Sequence, residues 1–207
     1  MKPYGLFVIG AVAGMATIVV PRVAGFDVVG RLHHHLARRE GPRGPLAHTE
    51  ERFEFLAKAP LEKVAPLMGA DRERVWAPGW NPNFVYPNPV ADQPGMVFTV
   101  AHGDRHAAWV NTEFDLKTGR VQYVYVIPNA LVTVITIRMT LTGNTTHVAV
   151  EYDRTALSPE AGSHVRQLAE NDRKSGPEWE KQINDYLASR ENETTKDTKV
   201  HKGQKSK

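Results

Sequence analysis

Arg120-Val-Gln-Tyr-Val-Tyr-Val-Ile127 and Leu131-Val-Thr-Val-Ile-Thr-Ile-Arg-Met-Thr-Leu141, parted by Pro128-Asn129, decide the fold. Each run alternates its side chains with a period of two and is rich in β-branched and aromatic residues, as half-buried strands are. Pro-Asn is turn chemistry, and strands joined by so short a link are antiparallel neighbours. Working outward, Lys117-Thr-Gly119 and Thr142-Gly-Asn144 supply further turns, and the same alternation predicts strands over Asn83–Tyr86, Met96–Ala101, Ala107–Asp115 and His147–Thr155. An earlier strand begins at Arg52-Phe-Glu-Phe. Pro60 then opens a helix whose apolar stripe is Leu61, Val64, Ala65, Leu67 and Met68, and a second helical turn is predicted around Asp71–Val75. After Ser158-Pro159 the period becomes helical. Val165, Leu168 and Ala169 form one stripe and Trp179, Ile183, Tyr186 and Leu187 another, with Gly176-Pro177 between them as a break or kink.

The flanks have a different character. Residues 1–22 contain an uncharged run from Pro3 to Pro21 that is apolar all round, which suits a membrane helix or a signal segment. Arg22, Arg31, Arg38, Arg39 and Arg43 follow it and only Lys2 precedes it, so the positive-inside bias places an anchored domain in the cytoplasm. Export after cleavage near Val23-Ala-Gly25 is the alternative. Residues 23–48 read as a basic juxtamembrane linker, residues 49–189 as one folded domain, and the Lys- and Thr-rich residues 190–207 as a disordered basic tail. The flanks 1–48 and 190–207 carry net charges of +4 and +3, and the middle carries −4. A mildly acidic body argues against a nucleic-acid partner, whose phosphates demand positive charge on the folded surface. The absence of Cys excludes disulfides, Cys-ligated zinc and thiol catalysis.

The segments Ala59-Pro-Leu-Glu-Lys-Val-Ala-Pro-Leu67, Arg74-Val-Trp-Ala-Pro-Gly-Trp-Asn-Pro-Asn-Phe-Val-Tyr86, Gly95-Met-Val-Phe-Thr99, Ala108-Trp-Val-Asn-Thr-Glu-Phe-Asp115 and Trp179-Glu-Lys-Gln-Ile-Asn-Asp-Tyr-Leu187 together resemble the START-like, or SRPBCC, superfamily over roughly residues 50–188. The superfamily includes polyketide cyclases and Bet v 1 relatives. The resemblance implies an α+β helix-grip fold, in which a curved antiparallel sheet wraps around a long C-terminal helix above a deep apolar pocket. Gly176-Pro177 departs from the continuous helix usual in the family.

Pocket walls are mostly apolar with a few polar groups that set orientation. Trp80, Phe84, Phe98, Trp109, Tyr123, Tyr125 and Trp179 are therefore candidate cavity residues, with ordinary core packing as the alternative for each. Arg138 sits on the polar stripe of its strand, where it would hold an anionic group if that stripe faces inward. Glu113 is the weak candidate for an acid or base. His102-Gly-Asp-Arg-His106 reads as a polar hairpin loop, and His33-His-His35 as solvated surface, so no metal site is expected. No phosphate loop, dinucleotide fingerprint or nucleophile elbow is present, and no cofactor is expected. The leading expectation is a membrane-anchored domain binding a hydrophobic small molecule or lipid without catalysis. A cyclase- or hydrolase-type enzyme and a ligand-free interaction module are the alternatives, and the oligomeric state is open.

Overall fold

Alternation fixes which side of a strand is buried, and the computed structural model, which describes residues 45–203 except 104, places the buried sides of six of its seven strands on one concave face. The order along the chain is β1 (His48–Ala57), α1 (Leu61–Val64), 3-10 turns at Ala65–Met68 and Arg72–Val75, β2 (Asn83–Tyr86), β3 (Val97–His102), β4 (Arg105–Asp115), β5 (Arg120–Ile127), β6 (Leu131–Thr142), β7 (Thr145–Ala156), a 3-10 turn at Pro159–Ala161, α2 (Gly162–Lys174) and α3 (Gly176–Gly203). The strands form one antiparallel sheet in the order β1-β7-β6-β5-β4-β3-β2. Strands two to seven meander, and β1 joins beside β7, so the first strand is an edge held by the last. This is a curved-sheet α+β fold of the helix-grip kind.

The parity of each strand is what aims the core. On β6, Leu131, Thr133, Ile135, Ile137 and Met139 are buried; on β7, Val148, Val150, Tyr152, Arg154 and Ala156 face the same way. The concave face is covered by α2, which packs on β1 and β7, and by α3, which packs on β1. Gly176 permits that approach, since a Cβ there would meet the Glu54 carbonyl oxygen at 3.3 Å and the Phe53 Cβ at 3.4 Å. The helical stretch does break where Gly-Pro predicts it. Ser175 separates α2 from α3, and its hydroxyl donates to the Asn171 carbonyl at 3.0 Å.

Residues 59–80 have little regular structure and are tied to the sheet by buried hydrogen bonds instead. The Tyr123 hydroxyl donates to the Met68 carbonyl (3.0 Å), Thr146 Oγ1 to Ala59 O (2.8 Å), Trp76 Nε1 to Leu67 O (2.7 Å) and Trp80 Nε1 to Ala70 O (2.7 Å). Each satisfies a backbone carbonyl that the irregular chain would otherwise leave unpaired.

Helix α3 is described as far as Gly203, within the residues 190–207 that the sequence assigns to a basic tail. The segment lacks an apolar face, but it is rich in Glu and Lys and has no Pro or Gly before Gly203, so a helix already nucleated by packed residues can propagate through it. Residues 1–22, expected as a membrane helix or signal, lie outside the described residues, as does most of the linker. Among the described residues, no helix is long and apolar enough to cross a membrane.

Candidate functional site

Cross-strand register builds the site. Phe98 of β3, Trp109 of β4, Tyr125 of β5, Thr133 of β6 and Arg154 of β7 are successive partners across five strands, and all of them belong to the buried face. A neighbouring row runs Asn111, Tyr123, Ile135, Tyr152. Side chains one register apart on one face lie within contact distance, so each row becomes a continuous wall. Trp109 stacks on Tyr125 with centroids 4.3 Å apart and on Phe98 at 5.5 Å, and Trp80 stands nearly perpendicular to Trp109 at 5.7 Å. Trp179 of α3 closes the wall from the helix side, meeting Trp76 at 5.1 Å and Phe53 at 5.4 Å, both edge-on.

Between these walls lies a cavity of about 50 Å³. All four tryptophans of the chain, Trp76, Trp80, Trp109 and Trp179, line it. Met68, Phe98, Tyr123, Tyr125, Ile135, Ile137, Tyr152 and Leu168 complete the apolar and aromatic lining. The remaining lining residues are His102, Arg154, Asp172 and Glu73.

Arg154 and Asp172 form a buried ion pair between β7 and α2. The Arg154 guanidinium also donates from Nε to Thr133 Oγ1 at 3.0 Å and from Nη2 to the Tyr125 hydroxyl at 3.4 Å. Burial pushes the Asp172 carboxyl up, and Arg154 offsets part of that push. His102 stacks on Tyr125 at 6.0 Å, and its Nε2 is buried without a hydrogen-bond partner. Burial, with His164 and Arg154 nearby, pushes its pKa down, so the ring is neutral at physiological pH.

Glu73 is the second polar station. It sits in the 3-10 turn before Trp76, is half-buried, and has no side-chain hydrogen bond among the described residues. Burial and the neighbouring Asp92 carboxylate push its pKa up to about 8. Asp92 itself is engaged with backbone, accepting from the Asp71 N–H at 3.1 Å. It lies so close to Gly69 that a Cβ there would stand 2.2 Å from its Oδ2, so only glycine fits.

Six of the residues singled out from the sequence, Trp80, Phe98, Trp109, Tyr123, Tyr125 and Trp179, come together at the cavity. Three do not. Phe84 packs on the far side of Phe98 at 5.9 Å, with the Arg74 guanidinium 4.6 Å over its ring. Arg138 has the opposite parity from Ile137 and Met139, so it faces out and pairs with Glu151 at 3.0 Å. Glu113 follows an irregularity in the β4–β5 register and forms a two-pronged surface pair with Arg120, at 2.7 and 3.2 Å. It is not a buried acid. The His102–His106 hairpin is likewise more than a polar loop, because His102 reaches the cavity wall.

Glu73, His102, Tyr152, Arg154 and Asp172 escaped the sequence reading. A signal existed for Arg154, which shares parity with Val148, Val150, Tyr152 and Ala156, and for Asp172, four residues after Leu168 on the apolar stripe of α2. Nothing local marks Glu73.

No protein-family model matches the chain, nor does any curated protein. Among solved structures, the chain is similar to Ara h 8.0201 with a TM-score of 0.50 and 15% identity, over 69% of this chain and 99% of that one. It is also similar to norcoclaurine synthase from Thalictrum flavum (TM-score 0.47, 11% identity, 73% of this chain and 97% of that one). A third similar structure is DynU16 from the dynemicin biosynthetic locus (TM-score 0.46, 16% identity, 67% of this chain and 47% of that one). At such identities the likeness concerns the fold alone, a curved antiparallel sheet closed by a C-terminal helix.

Proposed function

We propose that this START-like domain binds a small hydrophobic molecule in its central cavity, and that residues 1–22 tether it to a membrane. The observation that carries the binding reading is the convergence of all four tryptophans on one cavity that also holds two polar stations, the half-buried Glu73 and the buried Arg154–Asp172 pair. Apolar walls supply affinity and the polar stations orient the ligand. The space has room for several water molecules, so a ligand of modest size suits it best; a long acyl chain requires α3 and the walls to move. The tether rests on the apolar run from Pro3 to Pro21 and the arginines that follow it.

A second reading, acid–base catalysis on the bound molecule, is favoured by one observation. A carboxyl titrating near 8 inside an apolar cavity is suited to proton transfer near neutral pH. Glu73 would be that group.

Because every tryptophan lines the cavity, intrinsic fluorescence reports occupancy directly. Titration with a panel of small aromatic and alicyclic compounds should give saturable, one-to-one quenching, and native mass spectrometry after gentle extraction should show a co-purifying molecule. Trp179→Leu should weaken the binding at least tenfold while the fold persists. Absence of saturable quenching by any compound, with no co-purifying mass, would reject ligand binding. Turnover of a bound compound that disappears in a folded Glu73→Gln protein would establish the catalytic reading.

A further inference from the structure

We propose that the molecule bound in the cavity is a cation, an organic ammonium whose charge is met by the Glu73 carboxylate and whose alkyl groups lie against the tryptophan rings. This rests on the binding reading above. Charge balance is the first ground. The cavity holds two carboxylates and one guanidinium, and Arg154 is engaged by Asp172, leaving Glu73 without a counterion. Arg74, the residue after Glu73, is committed elsewhere: it donates to Asp71 at 3.3 Å and to the Pro82 carbonyl at 2.9 Å, and lies over Phe84, while Arg72 on the other side is exposed. Among the described residues the charged group acting on Glu73 is Asp92, another acid, so no cation offsets Glu73 when it ionises.

The walls are the second ground. Tryptophan presents the strongest aromatic face to a cation, and the attraction grows when the charge is desolvated. Trp80 and Trp109 meet at 81°, and Trp76 and Trp179 at 64°, so the four indoles present differently oriented surfaces to the cavity they line, with Trp109 itself stacked on Tyr125 and Phe98. A small ammonium group also suits the volume.

The pairing should be visible in pH. The groups acting on or around Glu73 are Asp92 from the loop before β3, Tyr123 on β5, Tyr152 and Arg154 on β7, Asp172 on α2 and His102 at the end of β3. Burial raises both tyrosines, so neither ionises by pH 9; it lowers His102, which is neutral above its ordinary range; and it raises Asp92 and Asp172. With Glu73 titrating at about 8, it is mostly protonated at pH 6 and mostly ionised at pH 9, so affinity for a permanent cation should rise across that range, by about tenfold or more when the charge is poorly screened.

The test uses the full chain with benzyltrimethylammonium, which cannot lose its charge, and its neutral isostere neopentylbenzene, followed by tryptophan fluorescence and calorimetry. At pH 9 the cation should bind at least tenfold more tightly than the isostere, its affinity should fall steeply toward pH 6, and the isostere's should not. In Glu73→Gln, checked for cooperative unfolding, the preference for the cation and its pH response should both vanish. If the isostere binds as tightly as the cation at pH 9, or if the cation's affinity is flat with pH in the wild-type chain, the ammonium assignment is overturned while hydrophobic binding stands. If neither compound nor any of the wider panel saturates the fluorescence, the binding reading itself falls.

Discussion

Glu73→Gln should make the domain more stable, and increasingly so as the pH rises. The carboxyl moves from an ordinary value of 4.5 to about 8 because the cavity withholds water from it and Asp92 repels its charge. A folded-state pKa raised above the unfolded one means that the native state holds its proton more tightly. The stability this contributes is complete below 4.5, declines as the pH climbs toward 8, and levels off above. At about 1.36 kcal/mol per pH unit, the fall between pH 6 and pH 9 is about 2.5 kcal/mol when desolvation is complete, and about 1 kcal/mol when water entering the cavity screens the charge. Urea unfolding of wild type and Glu73→Gln at pH 6, 7.5 and 9 measures it, since the difference between the two proteins cancels most other titrations. The gap should widen by about 1 to 2.5 kcal/mol over that range. A gap that stays constant would mean that Glu73 ionises as it does in water, and the account of an isolated acid in the cavity would be wrong.

Two further outcomes follow from the buried pair and the surface pairs. Arg154→Met should cost about 3 to 5 kcal/mol in chemical denaturation, because it leaves Asp172 charged and unpartnered, whereas Arg154→Met combined with Asp172→Leu should recover more than half of that loss. Glu113→Gln and Arg138→Ala should each shift stability by about 0.5 kcal/mol or less and leave tryptophan quenching by any cavity ligand unchanged, since both pairs sit at the surface.

Strand positions were legible because two local signals agree. Turn residues end each run, and alternation within it assigns the faces. β2 and β5 run where the pattern puts them, and β6 differs only by extending to Thr142. The aromatic wall was legible for the same reason, since a large side chain at a buried parity has little choice but to face the core. Arg138 shows where that reasoning stops. Its stripe could be recognised as polar, but deciding which stripe faces inward requires the partner strands, and Ile137 pairing with Val121 and Val150 settles it.

The polar stations were hidden for a deeper reason. Arg154 stands among apolar residues of its own parity, a pattern that looks like an error in a strand until Asp172 arrives from a helix eighteen residues later to neutralise it. Glu73 has no such partner to betray it. A solvated carboxylate on a short 3-10 turn and a carboxylate folded against a cavity look alike in sequence. Only the packing of Trp76 and Trp80, whose indole N–H groups anchor to Leu67 O and Ala70 O, turns that loop inward and makes residue 73 part of the lining. An uncompensated acid is costly to a fold that gains nothing from it. Its place in the same lining as the four tryptophans is the physical reason for reading the cavity as a receptor for positive charge rather than as residual space in a core.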